Sequence, residues 1–311
     1  MTATETPVAI VGVGKIARDQ HVPALAANPA FRLAATVSRH GSVEGVPAYT
    51  DLAAMRAAHP EVTAVALCTP PQVRYDLAQE ALAAGLDVLL EKPPGATVAE
   101  VEALARQARQ ADRVLFATWH SRFAPGVAPA KAWLAGREIV GGTVTWREDV
   151  RRWHPGQTWI WQPGGLGVFD PGINALSILT EILPVPLRLT AADLEFPANQ
   201  QAPIAARLAL AAGSAAVAAD FDFRQTGPQT WSIEIDTPDG RLDLSDGGAR
   251  VTAAGRTLSQ AEALASEYDG VYARFADLLA RRDSEVDVAP LVHVADAFLL
   301  GRRLITDPFV D

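Results

Sequence analysis

Asp170 and Asn174 stand four residues apart in the stretch GGLGVFDPGIN, residues 164–174, directly ahead of the apolar-periodic run INALSILTEIL. An Asp followed by Pro and Gly at that place predicts a helix start, with Asp170 as N-cap and Pro171 at the first helical position. The same spacing puts both side chains on one face of the first turn, one above the other. The pair is therefore either a cap or a small polar site. A second concentration of reactive side chains lies between residues 119 and 161. Six of the seven tryptophans fall there, interleaved with His120, Arg122, Glu148, Asp149, Arg151, Arg152 and His154. Flat aromatic faces against apolar C–H patches, with charged groups to bond vicinal hydroxyls, suit a sugar ring. The competing reading is a tryptophan-rich core or subunit interface with a salt-bridged rim. Trp153 with His154 is the combination favoured for substrate contact.

A third constellation sits near the N-terminus, where VGVGKIA gives Gly12-x-Gly14-x-x-Ala17. The first glycine permits a tight turn, the second lets the backbone approach a pyrophosphate, and the small third residue lets helix and strand pack closely. The pattern follows an apolar strand and opens a helix, so a dinucleotide is expected on Gly12, Gly14, Lys15 and Ile16. Thr69 and Pro70, at the end of the run VTAVALCT, join the cofactor set. The end of the second strand carries Ser38, Arg39 and His40 with no carboxylate to bond a ribose diol. NADP is the expected cofactor, with NAD also accommodated because an exposed Arg can stack on adenine.

The elements that must position these groups alternate regularly from residue 7. PVAIVGVG, FRLAATVS, VTAVALCT, LDVLLEKP and RVLFATWH read as continuous apolar strands, separated by helices around 16–28, 50–58, 72–84 and 97–110. This is the doubly wound α/β pattern of a parallel sheet covered on both faces. After about residue 124 the rhythm changes to alternating segments such as GGTVTWREDV, AARLALA, AAVAADFDF and TWSIEIDT. These predict an α+β domain on an open, mostly antiparallel sheet. The division expected is a dinucleotide-binding domain over 1–123 and a substrate-binding and oligomerisation domain over 124–311. The segment from Tyr272 to about Leu304 reads as helical and is a candidate to pack back on the first domain.

Composition narrows the partners. With 27 Lys plus Arg against 36 Asp plus Glu, the net charge is 27 − 36 = −9, which disfavours binding to a phosphate backbone. MTATETPVAIVG lacks the basic start and cleavage pattern of a signal peptide, and no apolar stretch reaches membrane-span length, so no membrane partner and a cytoplasmic location are expected. Cys68, the single cysteine, has no neighbours at metal-ligand spacing and reads as a buried, inert thiol; no metal is expected.

LLEKPPGAT, residues 89–97, together with GVGKIA, the strand ending in WHSR and GGLGVFDPGIN, resembles the Gfo/Idh/MocA (glucose-fructose oxidoreductase / inositol dehydrogenase) family along the whole chain. The resemblance implies a Rossmann domain joined to a C-terminal α+β domain, and it implies that Glu91 and Lys92 lie at the cofactor, with Lys92 near the nicotinamide and the substrate carbinol oxygen. Many members follow the glycine-rich stretch with Asp-x-x-x-His, the histidine serving as acid/base. Here Asn174 takes its place, and an amide cannot exchange a proton near neutral pH. A narrower similarity, carried by VGKIARDQHVPAL, CTPPQVRYDLA, EKPPGAT, FATWHSR, EDVRRWHPGQTWIW and GGLGVFDPGINALSI, is to the bacterial L-arabinose / D-galactose 1-dehydrogenases of this family. It implies NAD(P)-dependent oxidation of an aldopyranose to its lactone.

Such a reaction needs a proton acceptor and donors for the developing oxyanion. Lys92 would hold the oxygen, Asp170 is the nearest candidate carboxylate, and Asn174 would orient the hydroxyl. His120 is the runner-up base. His120, Glu148, Asp149, Trp153 and His154 make the expected substrate set. Two other readings stay open: inositol or polyol dehydrogenation within the same family, and a catalytically silent NADP-sensing protein. An open sheet needs cover, so a homo-oligomer, dimer or tetramer, is expected.

Overall fold

The computed structural model describes residues 5–261 and 263–310; residues 1–4 of the N-terminal stretch read above lie outside them. The chain divides into two compact units, one of Met1–His120 with Tyr268–Asp287, the other of Ser121–Glu267 with Val288–Asp311.

In the first unit, six strands are parallel: β1 (Thr6–Val11), β2 (Phe31–Val37), β3 (Ala48–Tyr49), β4 (Ala64–Leu67), β5 (Asp87–Leu90) and β6 (Leu115–Ala117). Their order is β3-β2-β1-β4-β5-β6, so the chain reverses direction across the sheet between β1 and β4. The fully apolar β4 and the last four residues of β1 are buried because helices cover both faces. Local chemistry sets the helix ends. Asp51 caps Leu52–Ala58 by accepting the Ala54 N–H, and Thr97 with Glu100 forms a capping box at Val98–Gln110. The helix expected over 16–28 starts as a π-helical turn, Ala17–His21, before Val22–Ala27.

The C-terminal segment differs from the single helix expected over 272–304. It forms the helices Ala263–Arg281 and Ala289–Leu300 and then a strand. Tyr268–Asp287 belongs to the first unit: Phe275 stacks between Phe31 and Phe116, and at the β6 edge the Glu285 N–H donates to the Leu115 carbonyl while the Glu285 carbonyl accepts the Ala117 N–H. Helical periodicity is local and shows that a face is apolar, not which surface it covers.

The second unit is a nine-stranded mixed sheet of β7 (Gly141–Arg147), β8 (Leu187–Pro197), β9 (Ala205–Ala212), β10 (Ala215–Asp222), β11 (Thr230–Thr237), β12 (Gly240–Ser245), β13 (Arg250–Ala253), β14 (Arg256–Gln260) and β15 (Arg302–Thr306). The order is β14-β13-β12-β11-β7-β10-β9-β8-β15, antiparallel except for β7 beside β10 and β8 beside β15. Alternation of buried with exposed or half-buried residues, as in β10, buries one face, against Val127–Leu134, Phe169–Ile182 and Ala289–Leu300. The other face carries charge ladders, including Arg147 on Asp220 and Arg224 between Asp222 and Glu195.

Among the described residues, no helix is long and apolar enough to cross a membrane. Cys68 is buried and unbridged.

Candidate active site

The nucleotide-side residues all follow the carboxyl ends of the parallel strands, where ligands of doubly wound sheets bind. Gly12 and Gly14 follow β1, Ser38 follows β2, Thr69 follows β4, Glu91 and Lys92 follow β5, and His120 follows β6. Gly12 has φ +90°, and a Cβ there would come within 2.8 Å of Thr69 Cγ2, so only glycine lets the β1 and β4 turns meet at the reversal point. A Cβ on Gly14 would meet nothing within 4 Å. That open space beside a helix start is the cradle a pyrophosphate requires, so these residues fit a dinucleotide. The Thr69 hydroxyl is buried with no hydrogen-bond partner among the described residues. Ser38 accepts the His40 N–H, and Arg39 and His40 are exposed beside it. The Lys15 ammonium is exposed and pairs with Asp19 one turn on.

Glu91 requires a correction. Its carboxylate was expected at the cofactor, yet it is buried and committed internally. Oε1 accepts the Tyr268 hydroxyl at 2.7 Å and lies 3.0 Å from His21 Nε2, while Oε2 accepts the Lys92 N–H at 2.8 Å. Burial alone would raise its pKa; the hydrogen bond and charge of His21 outweigh that and hold it well below the usual carboxylate range. His120 lies in the same unit, 9 % exposed, its ring stacked on Tyr268.

The second unit assembles a different group. Helix Phe169–Ile182 begins two residues earlier than the sequence suggests, with Val168 at the N-cap position and no side-chain cap bond. Asp170 is therefore not the cap: it lies inside the first turn, 3 % exposed, one helical turn below Asn174. The preceding turn is fixed by Gly167, at φ +54°, where a Cβ would strike the Pro203 carbonyl at 2.3 Å. His154 lies beside Asp170, with Nδ1 3.6 Å from Asp170 Oδ2 and Nε2 3.0 Å from Glu148 Oε1. His154 thus spans two carboxylates, with Nε2 toward Glu148 and Nδ1 toward Asp170. Glu148 Oε2 accepts the Trp231 indole N–H at 2.9 Å, and Trp231 tilts against Trp153 with ring centroids 5.0 Å apart. Two partly exposed indoles thus flank a buried carboxylate.

Asp149, expected beside substrate, is instead the cap of Val150–Trp153, bonding the Arg151 backbone and guanidinium. The tryptophan-rich segment divides in the same way. Trp119, Trp146 and Trp161 are core residues, whereas Trp153 packs on Trp231, the donor to Glu148. Arg122 binds the Ser177 carbonyl and Thr180. The sequence reading missed Trp231, which lies far from the tryptophan-rich segment, in a strand that looked ordinary. It also missed His21, Arg74, Tyr268 and Tyr272, whose polar groups lie in helices that read as amphipathic. The signal available for His21 was a buried polar residue in ARDQHVPAL, one helical turn from the glycine turn.

A parallel sheet ordered about a glycine turn at its reversal point, followed by a mixed-sheet unit, defines a two-domain dinucleotide-dependent oxidoreductase. The chain belongs to the Gfo/Idh/MocA family: residues 6–118 match the profile described as oxidoreductase family, NAD-binding Rossmann fold. It is 46% identical over 303 residues to galactose 1-dehydrogenase from Pseudomonas fluorescens, covering 97% of this chain and 98% of that one. The crystal structure of D-galactose-1-dehydrogenase from Rhizobium etli is 53% identical, with a TM-score of 0.94 over 100% of this chain and 99% of that one. A 3-ketoreductase from Actinomadura kijaniata, in complex with NADP and TDP-benzene, shares the fold at 18% identity, TM-score 0.82, over 97% of this chain and 100% of that one.

Proposed function

We propose that the protein is an NAD(P)-dependent aldose 1-dehydrogenase that oxidises the anomeric carbon of D-galactose, L-arabinose or both to the sugar lactone, with NADP preferred. The observation that carries the reading is the row Glu148–His154–Asp170, its two carboxylates buried, with Trp231 bonded to Glu148 and Trp153 packed on Trp231. It is what a ring of vicinal hydroxyls with an apolar face would need, and it occurs in a chain 46% identical to a galactose 1-dehydrogenase. D-Galactose and L-arabinose share the configuration at C2, C3 and C4, so one hydroxyl-reading corner serves both.

A bound nicotinamide would supply the acceptor for the hydride from C1. The protein supplies the rest. Lys92 holds the C1 oxygen as a cation, and Asn174 orients the hydroxyl. Asp170 takes its proton, with His154 Nδ1 as the next acceptor and Glu148 holding the ring's tautomer. Glu148 and His154 bond sugar hydroxyls, the Trp153 and Trp231 rings cover the C–H face, and His120 lines the substrate. Gly12, Gly14, Ile16, Thr69 and Pro70 carry the dinucleotide, and Ser38, Arg39 and His40 the 2′-phosphate. A homo-oligomer is part of this reading, supported by Leu299, Leu300, Ile305 and Val310, which are exposed near the β15 edge.

The test is nucleotide reduction across pentoses and hexoses with both cofactors, with product analysis. Lactone and then aldonic acid from D-galactose or L-arabinose is the expected result. A keto-sugar product, or no turnover with any aldose, overturns the reading.

A further inference from the structure

Lys92 is gripped through its backbone by buried charged groups on both sides. Arg74, 3 % exposed, reaches from helix Pro71–Ala83 and donates to the carbonyls of Glu91 and Pro93, which flank Lys92, and to the carbonyl of Thr69. From the other side, Glu91 Oε2 accepts the Lys92 N–H at 2.8 Å. Glu91 is itself fixed by Tyr268 at 2.7 Å and by His21 at 3.0 Å, and His21 Nδ1 meets the Tyr272 hydroxyl at 2.8 Å. Groups from the first helical segment, the helix after β4 and the returning C-terminal helix thus converge, directly or through the Glu91 carboxylate, on the backbone around Lys92.

Stability alone is a weak reason for such a construction, because buried ion pairs can often be replaced by apolar groups without loss. A rigid lysine gives it one, since a reacting group displaced by about 1 Å can lose about 100-fold in rate. We infer that Glu91, His21, Tyr268 and Arg74 are positioning residues that fix Lys92, acting through its backbone. The inference rests on the reading of Lys92 as the group that holds the reacting oxygen. The titratable groups around Glu91 are His21, Tyr268 and His120, and those around His21 include Cys68 and Tyr272. Burial opposes charge on His21, but Cys68, Tyr272 and the Glu91 hydrogen bond raise its pKa well above 6.5, which keeps the His21–Glu91 pair ionic.

The chain has three lysines, and Lys15 and Lys131 have side chains 62% and 57% exposed. Carbon-13 dimethylation of the full-length protein therefore yields few signals, and Lys92 is assigned by its loss in Lys92→Arg. In Glu91→Gln and Tyr268→Phe, the Lys92 signal and its titration midpoint are expected to move while those of Lys15 and Lys131 stay. On the sugar that the wild type turns over, kcat is expected to fall by about 10-fold or more in Glu91→Gln, with both KM values within about twofold. Tyr268→Phe removes a single hydroxyl and serves if Glu91→Gln does not fold. A folded variant whose Lys92 signal and titration superpose on the wild type overturns the inference, even if its melting temperature has dropped. A moved Lys92 signal in a protein inactive on every aldose supports the positioning role and overturns the sugar reading instead.

Discussion

Asp170 Oδ2 lies 3.6 Å from His154 Nδ1, in the first turn of its helix and not at the cap position. The carboxylate sits inside the first turn of Phe169–Ile182 and faces a ring whose other nitrogen is held by Glu148. On the proposed reading, Asp170→Asn preserves shape and removes the proton acceptor. We expect kcat to fall by at least about 100-fold, within the range for general base catalysis, with a melting temperature close to wild type. A cap would behave in the opposite way, retaining turnover and losing about 1 kcal/mol of stability. Parallel kinetics and thermal melts distinguish the two.

Trp231 reaches the same corner from β11, donating to Glu148. Trp231→Phe keeps a flat ring but leaves that carboxylate oxygen without its donor. A hydrogen bond to a charged group contributes about 1.5–3 kcal/mol, so KM for the sugar is expected to rise about 10-fold while KM for the nucleotide stays unchanged. An unchanged sugar KM would remove Trp231 from the substrate corner.

The two glycines of the β1 turn predict different failures. Gly12→Ala strains a positive-φ residue and drives a methyl group into Thr69, so it should destabilise the fold by at least about 1–3 kcal/mol. Gly14→Ala places its methyl in open space. Its melting temperature should hold while nucleotide affinity, measured by titration, collapses. Equal loss of stability in both variants would show that Gly14 is structural.

On the proposed reading, Arg39, exposed just past the end of β2, separates the nucleotides. Arg39→Ala should raise KM for NADP much more than KM for NAD. Equal changes for the two nucleotides would remove the 2′-phosphate role.

Acid stability should depend on Glu91. Its folded pKa is depressed, so its contribution is present above the unfolded carboxylate value of about 4.3 and is lost as pH falls through the lower folded value. His21 has a raised folded pKa, so its contribution is present below 6.5 and is lost as pH rises through the higher folded value. Glu91→Gln should melt well below wild type near neutral pH, and the gap should narrow on acidification below about pH 4. Thermal melts from pH 3 to 8 check this, and parallel curves for the two proteins would contradict it.

Much of the fold was legible because its signals are local. The apolar runs of β1, β2, β4, β5 and β6 and the glycine turn each announce themselves within a few residues, since strand burial and a tight turn are properties of contiguous sequence. The glycine-rich stretch before Asp170 was also visible, but not its geometry. Gly167 packs against the distant Pro203 carbonyl, and the helix starts two residues early, which makes Asp170 a buried first-turn group.

By itself the sequence determined the doubly wound first unit, the glycine turn, the lysine after β5 and the side chains competent for hydroxyl chemistry. Only the tertiary structure decided how those side chains are used. It turned Asp149 into a cap and Glu91 into a brace for Lys92, and it set Trp231 beside Glu148. It also brought Tyr268 back to the first sheet. The reason is physical: a carboxylate's role depends on which donors reach its oxygens, and for Glu91 and Glu148 the deciding donors come from residues far away in the chain.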